Sequence, residues 1–201
     1  MKNTGAREFL QAWRQITSQL ELEKQLLDNW TNLEKYTALI QEDVDCVIDR
    51  VAKKLNSELK CYNEYYCTDA VLFFENDLVP ETKTGTTWLR GINVTFEHEH
   101  IYNKRLYEEI SHLLILHSAL SVIVTYPPPG DVKNLEHLPY FHSLIKDSRR
   151  AKELDEKENF LLIFGYRSPL QWKGLIFKND GWKEIVVTNP TEVAIAPGAA
   201  K

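Results

Sequence analysis

The hydrophobic positions of this chain recur at helical spacing over its first quarter and at a spacing of two after that. Phe9, Trp13, Ile16 and Leu20, followed by Leu26 and Leu27, predict one helix over residues 6–27. Asp28-Asn29 offers a break and an N-cap. Leu33, Tyr36, Ile40, Val44, Val47, Ile48, Val51 and Leu55 then predict a second helix over residues 30–55. Its other face carries Glu42, Asp43, Asp45 and Asp49, the pattern of a solvated surface, with Glu42 the acid placed to lean towards a neighbouring site. Past Asn56 the pattern predicts strands over 61–66 and 68–74, a turn-rich loop over 75–87 and a long strand over 88–100 with a bulge at Gly91. A helix over 103–117 follows, its buried stripe made of Leu106, Ile110, Leu113, Leu114 and His117. The apolar run 121–126 reads as a strand buried on both faces, and Pro127-Pro128-Pro129-Gly130 stops it. A polar helix over 139–154 and a strand over 160–166 come next. Two strands, 172–178 and 182–188, flank the hairpin signal Asn179-Asp180-Gly181, and a frayed tail closes the chain.

One stretch of this pattern carries chemistry. Along Ile92-Asn93-Val94-Thr95-Phe96-Glu97-His98-Glu99-His100, a period of two puts Ile92, Val94, Phe96 and His98 on one face. Glu97 and Glu99 share the other, roughly 6–7 Å apart along the strand. Like charges that close repel unless a cation or proton lies between them. The stretch is either a divalent-metal site or a solvated strand end with two surface acids. Asp69 opens the strand at 68–74, and if that strand pairs antiparallel with 88–100, Asp69 comes to the same sheet edge as Glu97 and Glu99. Three carboxylates together suit a hard cation such as Mg²⁺ or Mn²⁺. On this reading His98 is a packed, hydrogen-bonded histidine. His112 and His117, five residues apart, do not share a helix face.

Composition changes this picture little. The chain has 201 residues, 43% hydrophobic and 26% charged, which suits one domain of ordinary globular make-up. Within it, 1–28 is an N-terminal helix, 29–126 a core, 127–188 a helix with added strands, and 189–201 a flexible tail. A net charge of −5 argues against a simple basic nucleic-acid binder but leaves room for an enzyme whose carboxylates hold a cation. Cys46, Cys61 and Cys67 lack zinc-ligand spacing and read as reduced thiols. No apolar run is long enough to span a bilayer and no leader pattern opens the chain, so a cytoplasmic location and no membrane partner are expected. Lys146, Arg149, Arg150 and Lys152 are interleaved with acids and read as a solvated helix face. Phosphate-binding glycine loops and the serine-hydrolase elbow are both missing.

The order helix, three strands with Asp69 then Glu97-x-Glu99, helix, strand resembles the PD-(D/E)XK nuclease superfamily, over roughly residues 30–126. The resemblance implies an α/β fold with a restriction endonuclease-like αβββαβ core. A mixed central sheet would be flanked by helices, with an extra N-terminal helix and a C-terminal β-hairpin. Asp69 and Glu97 match the motif acids. Glu99 stands where lysine is usual, and Thr68 precedes Asp69 in place of proline; the Glu-x-Glu pattern is similar to the BamHI-like branch of type II restriction enzymes. The implied activity is divalent-metal-dependent phosphodiester hydrolysis of nucleic acid, most readily as a DNA endonuclease. Asp69, Glu97 and the backbone carbonyl of His98 would hold Mg²⁺ or Mn²⁺, and Glu99 would orient or deprotonate the attacking water. His100 could reach a phosphate, Lys104 or Arg105 could replace the missing lysine, and Glu42 could assist. Double-strand cleavage would imply a homodimer. The alternative is a catalytically decayed nuclease fold that binds nucleic acid or protein.

Overall fold

Two layers of helix enclose a seven-stranded sheet whose strands lie side by side in chain order. The computed structural model describes residues 3–80, 87–130, 132 and 135–186. Strands β1 (Leu59–Tyr65), β2 (Thr68–Phe74) and β3 (Val94–Glu99) form an antiparallel meander. β3, β4 (Leu120–Thr125) and β5 (Phe160–Tyr166) are parallel, and β6 (Gln171–Ile176) and β7 (Lys183–Glu184) return antiparallel. Parallel neighbours need crossover connections. Helix α5 (Tyr107–Ile115) supplies the one from β3 to β4. Helices α6 (Leu138–Lys146) and α7 (Ala151–Lys157) supply the one from β4 to β5.

The period of two sorts the sheet's side chains into two cores. Leu72, Phe96, Val122, Val124 and Ile163 face the N-terminal helices α1 (Ala6–Thr17), α2 (Leu20–Asn29), α3 (Leu33–Thr37) and α4 (Val47–Leu55). Ile123, Leu162 and Phe164 face α5, α6 and α7. From α4 to β4 the element order is α, β, β, β, α, β. Gly165 is where tertiary packing forbids a side chain. A Cβ there would come within 2.6 Å of the Tyr126 ring and 2.7 Å of the Trp172 ring. Gly165→Ala is expected to destabilise the protein by about 1–3 kcal/mol, read as a lower midpoint in urea unfolding.

Three predicted helices are each two. The 6–27 pattern breaks after Thr17, whose hydroxyl donates to the Trp13 carbonyl, while the Ser18 hydroxyl donates to that of Gln15. Such local bonds compete with helix propagation, and they leave Leu20 86% exposed rather than on the buried stripe. The 30–55 pattern is interrupted by a π-helical turn (Ala38–Glu42) and by Asp45 at φ 63°, which expose Val44. The 139–154 pattern divides into α6 and α7. Helix α5 ends at Ile115, where Arg150 donates to the carbonyls of Leu113 and Leu116. Arg150 thus caps a helix rather than a solvated face, and His117 lies beyond that end, exposed instead of buried. The strand predicted over 88–100 is shorter, Val94–Glu99, with an isolated bridge from Leu89 to Leu78 before it. Gly91, expected at a bulge, precedes the strand and packs against Asp77. Val187, Thr188 and the tail over 189–201 lie outside the described residues. Among the described residues, no helix is long and apolar enough to cross a membrane.

Candidate functional site

Antiparallel pairing of β2 with β3 sets Ala70 opposite Phe96, so Asp69 and Glu97 are neighbours one step further along. Two bonds lock them in place. The Asp69 amide donates to Glu97 Oε2 at 3.4 Å, and the His98 amide donates to Asp69 Oδ2 at 2.6 Å. Helix α5 then crosses back over this face of the sheet. Glu109 and His112, three residues apart, share the helix side turned to it. His112 Nδ1 stands 3.2 Å from Glu109 Oε2 and 4.0 Å from Glu97 Oε1. One donor atom each from Glu97, Glu109 and His112 lies within 4.8 Å of the other two. Asp69 adjoins this trio through its bond with Glu97.

Glu97 is 2% exposed, and among the described residues its Oε1 has no hydrogen-bond partner. Burial, and then the charges of Asp69 and Glu109, push its pKa up to about 10. Burial also raises Asp69, while bonds from the His98 amide and the Gln41 side chain pull it back. Glu109 is raised by burial and pulled back by His112. Gln41, 4% exposed, sits on the π-helical turn; such turns insert an extra residue and re-aim the side chains after it. The site therefore concentrates carboxyls that resist ionising together, and one buried oxygen still lacks a partner. A divalent cation relieves both conditions.

The other residues singled out by sequence are dispersed. Glu99 is half-buried at the end of β3, its Oε1 accepting the Ile101 amide at 3.1 Å. The His98 side chain goes to the opposite face, where Nε2 bonds Tyr126 Oη at 2.8 Å. His100 bonds Thr37 Oγ1 at 3.0 Å and stacks on Tyr126, also on that opposite face. Lys104 lies over the Tyr140 ring and Arg105 pairs with Glu108, both on an exposed turn. Glu42 is exposed; its neighbour Gln41 is the one that reaches Asp69. Sequence reasoning missed Gln41, Glu109 and His112. The signal for the last two was Glu-x-x-His on the helix directly after the Glu97 strand, with a spacing that shares a face.

No family model matches this chain, and neither a curated protein nor a solved structure matches it.

Proposed function

We propose that this protein is a divalent-metal-dependent phosphodiesterase acting on nucleic acid, built on a restriction endonuclease-like core. The observation that carries the reading is the buried Glu97 Oε1, without a hydrogen-bond partner among the described residues, facing His112 and beside Asp69. The element order α, β, β, β, α, β, with Asp69 at the start of the second strand and Glu97 on the third, supports it further.

Glu97, Glu109 and His112 would hold the cation, with Asp69 alongside. A nitrogen among oxygens favours Mn²⁺ over Mg²⁺. When bound, such a cation polarises a phosphoryl oxygen and lowers the pKa of a water. The chain's own residues do the rest. Asp69, tied to the His98 amide, fixes one side of the site. Glu99 shares the Glu97 face by strand alternation and keeps Oε2 outside its bond to Ile101, so it can take a proton from the attacking water.

A second reading, a silent nuclease-like fold that binds nucleic acid or protein, is favoured by one observation: Lys104 and Arg105 are engaged away from the acids. One experiment separates the two. Wild-type protein is titrated with Mn²⁺ and Mg²⁺ by calorimetry, then incubated with single- and double-stranded DNA and RNA, with each metal or with EDTA. The enzyme reading expects Mn²⁺ binding and cleavage that EDTA stops. Mn²⁺ binding without cleavage of any substrate favours the second reading, and no binding of either ion overturns the metal site.

A further inference from the structure

Where β3, β4 and β5 end, two cavities meet at Trp30 and Tyr126. One, of about 410 Å³, is lined by Trp30, Leu33, Tyr36, His100 and Tyr126. The other, of about 380 Å³, runs from Trp30 and Tyr126 past Tyr166 to Arg167 and Lys173. Both fall within the size range of small-ligand sites. The first is walled by rings. Trp30 meets Tyr36 at 78° and Tyr126 at 82°, so among the described residues no ring is stacked flat on it. The second supplies charge. Among its described lining residues are two cations and no carboxylate, in a chain whose net charge is −5. Lys173 rests over the Tyr166 ring, and neither cation has an acid partner among the described residues. Gly165, which leaves room for the Tyr126 ring, belongs to the same wall.

We infer that this paired cleft binds a nucleotide, its base among the rings of Trp30, His100 and Tyr126 and its phosphate towards Arg167 and Lys173. Aromatic walls beside cations that have no acid partner among the described residues are the combination that single-stranded nucleic acid uses, because every base has a π-face and every link a negative charge. A purely apolar ligand would leave both cations unused, and free phosphate would leave the rings unused. His98 joins this cleft to the acids: its amide bonds Asp69 and its ring bonds Tyr126. Resting on the phosphodiesterase reading, the inference names the form of substrate: an unpaired nucleotide, held in a cleft that His98 links to the candidate metal site.

The test is binding in EDTA, followed by tryptophan fluorescence, with adenosine monophosphate, inorganic phosphate and a six-nucleotide single-stranded DNA as probes. The nucleotide and the oligonucleotide are expected to bind and phosphate alone is not. A tighter oligonucleotide marks a strand-binding cleft, and equal affinities mark a mononucleotide site. Trp30→Ala should weaken binding on the order of 10- to 100-fold, the worth of one lost stacking platform, and Trp30→Phe should restore most of it. Exposed Arg167→Glu, alone and together with half-buried Lys173→Glu, tests the phosphate end, with a comparable loss expected. Nucleotide binding is read in EDTA and the metal site by Mn²⁺ calorimetry without nucleotide, so failure of the metal site and failure of the cleft are told apart. Binding that needs Mn²⁺ and Glu97 but ignores Trp30 and both cations would overturn the cleft. So would phosphate binding as tightly as the nucleotide.

Discussion

Glu97→Gln is expected to abolish Mn²⁺ binding and at the same time to make the metal-free protein more stable at neutral pH. The second effect follows from burial. The folded-state pKa of Glu97 is raised from 4.5 to about 10, so the folded protein holds a proton that the unfolded chain releases. That contribution to stability is fully present below pH 4.5 and is lost as pH rises through 10. At pH 7 the loss is on the order of 3 kcal/mol, which glutamine, with no charge to bury, avoids. The amide oxygen can still accept the Asp69 N–H, and the amide nitrogen replaces the oxygen that faces Glu109 and His112. Urea unfolding of both proteins between pH 5 and 9 is the measurement. Wild type should lose more stability with rising pH in EDTA than the variant, in which Glu97 no longer titrates. Mn²⁺ at a hundred times its dissociation constant should then restore about 2.7 kcal/mol to wild type and nothing to the variant. A wild-type protein whose stability is level over that range would mean Glu97 is already neutralised by some group other than a cation.

How much of this site could be read from sequence depends on which periodicity carries it. Strands β2 and β5 were legible to the residue, since alternation and its loss mark strand ends directly. With β2 and the core of β3 in hand, the approach of Asp69 to Glu97 follows from antiparallel pairing alone. Helix breaks were not legible, because a hydrophobic stripe continues across a turn that local hydroxyl bonds or a positive φ interrupt. The same blindness hid Gln41. On an uninterrupted helix the acid Glu42 was the natural residue to watch, but the π-helical turn changes the phase and brings Gln41 inward. Glu109 and His112 were hidden for another reason. The two histidines five residues apart share no helix face, because His117 sits past the helix end, and the partner of His112 is instead the carboxylate three residues before it. The aromatic cleft is assembled from residues between Trp30 and Lys173, a contact set that no local pattern announces.

Glu99→Gln is expected to separate binding from chemistry. The Oε1 atom of Glu99 accepts the Ile101 amide, and a glutamine oxygen can do the same, so the end of β3 should keep its shape. What is removed is the charge, and with it the capacity to take a proton. If Glu99 is the base, cleavage should fall by a factor on the order of 10²–10⁴. Mn²⁺ affinity should hold within about tenfold, since Glu97, Glu109 and His112 remain and the lost charge acts only from outside that trio. Single-turnover cleavage alongside calorimetry reads both quantities on one preparation. Glu99→Lys carries the opposite charge into the same position. It should weaken Mn²⁺ binding more than glutamine does, through like-charge repulsion, while leaving some cleavage because a lysine can still hold a water. His112→Ala gives the contrasting pattern, weaker Mn²⁺ binding with cleavage recovered at high metal concentration. Equal losses of binding and cleavage in the Glu99 and His112 variants would make Glu99 one more cation holder, and the base would have to be sought elsewhere.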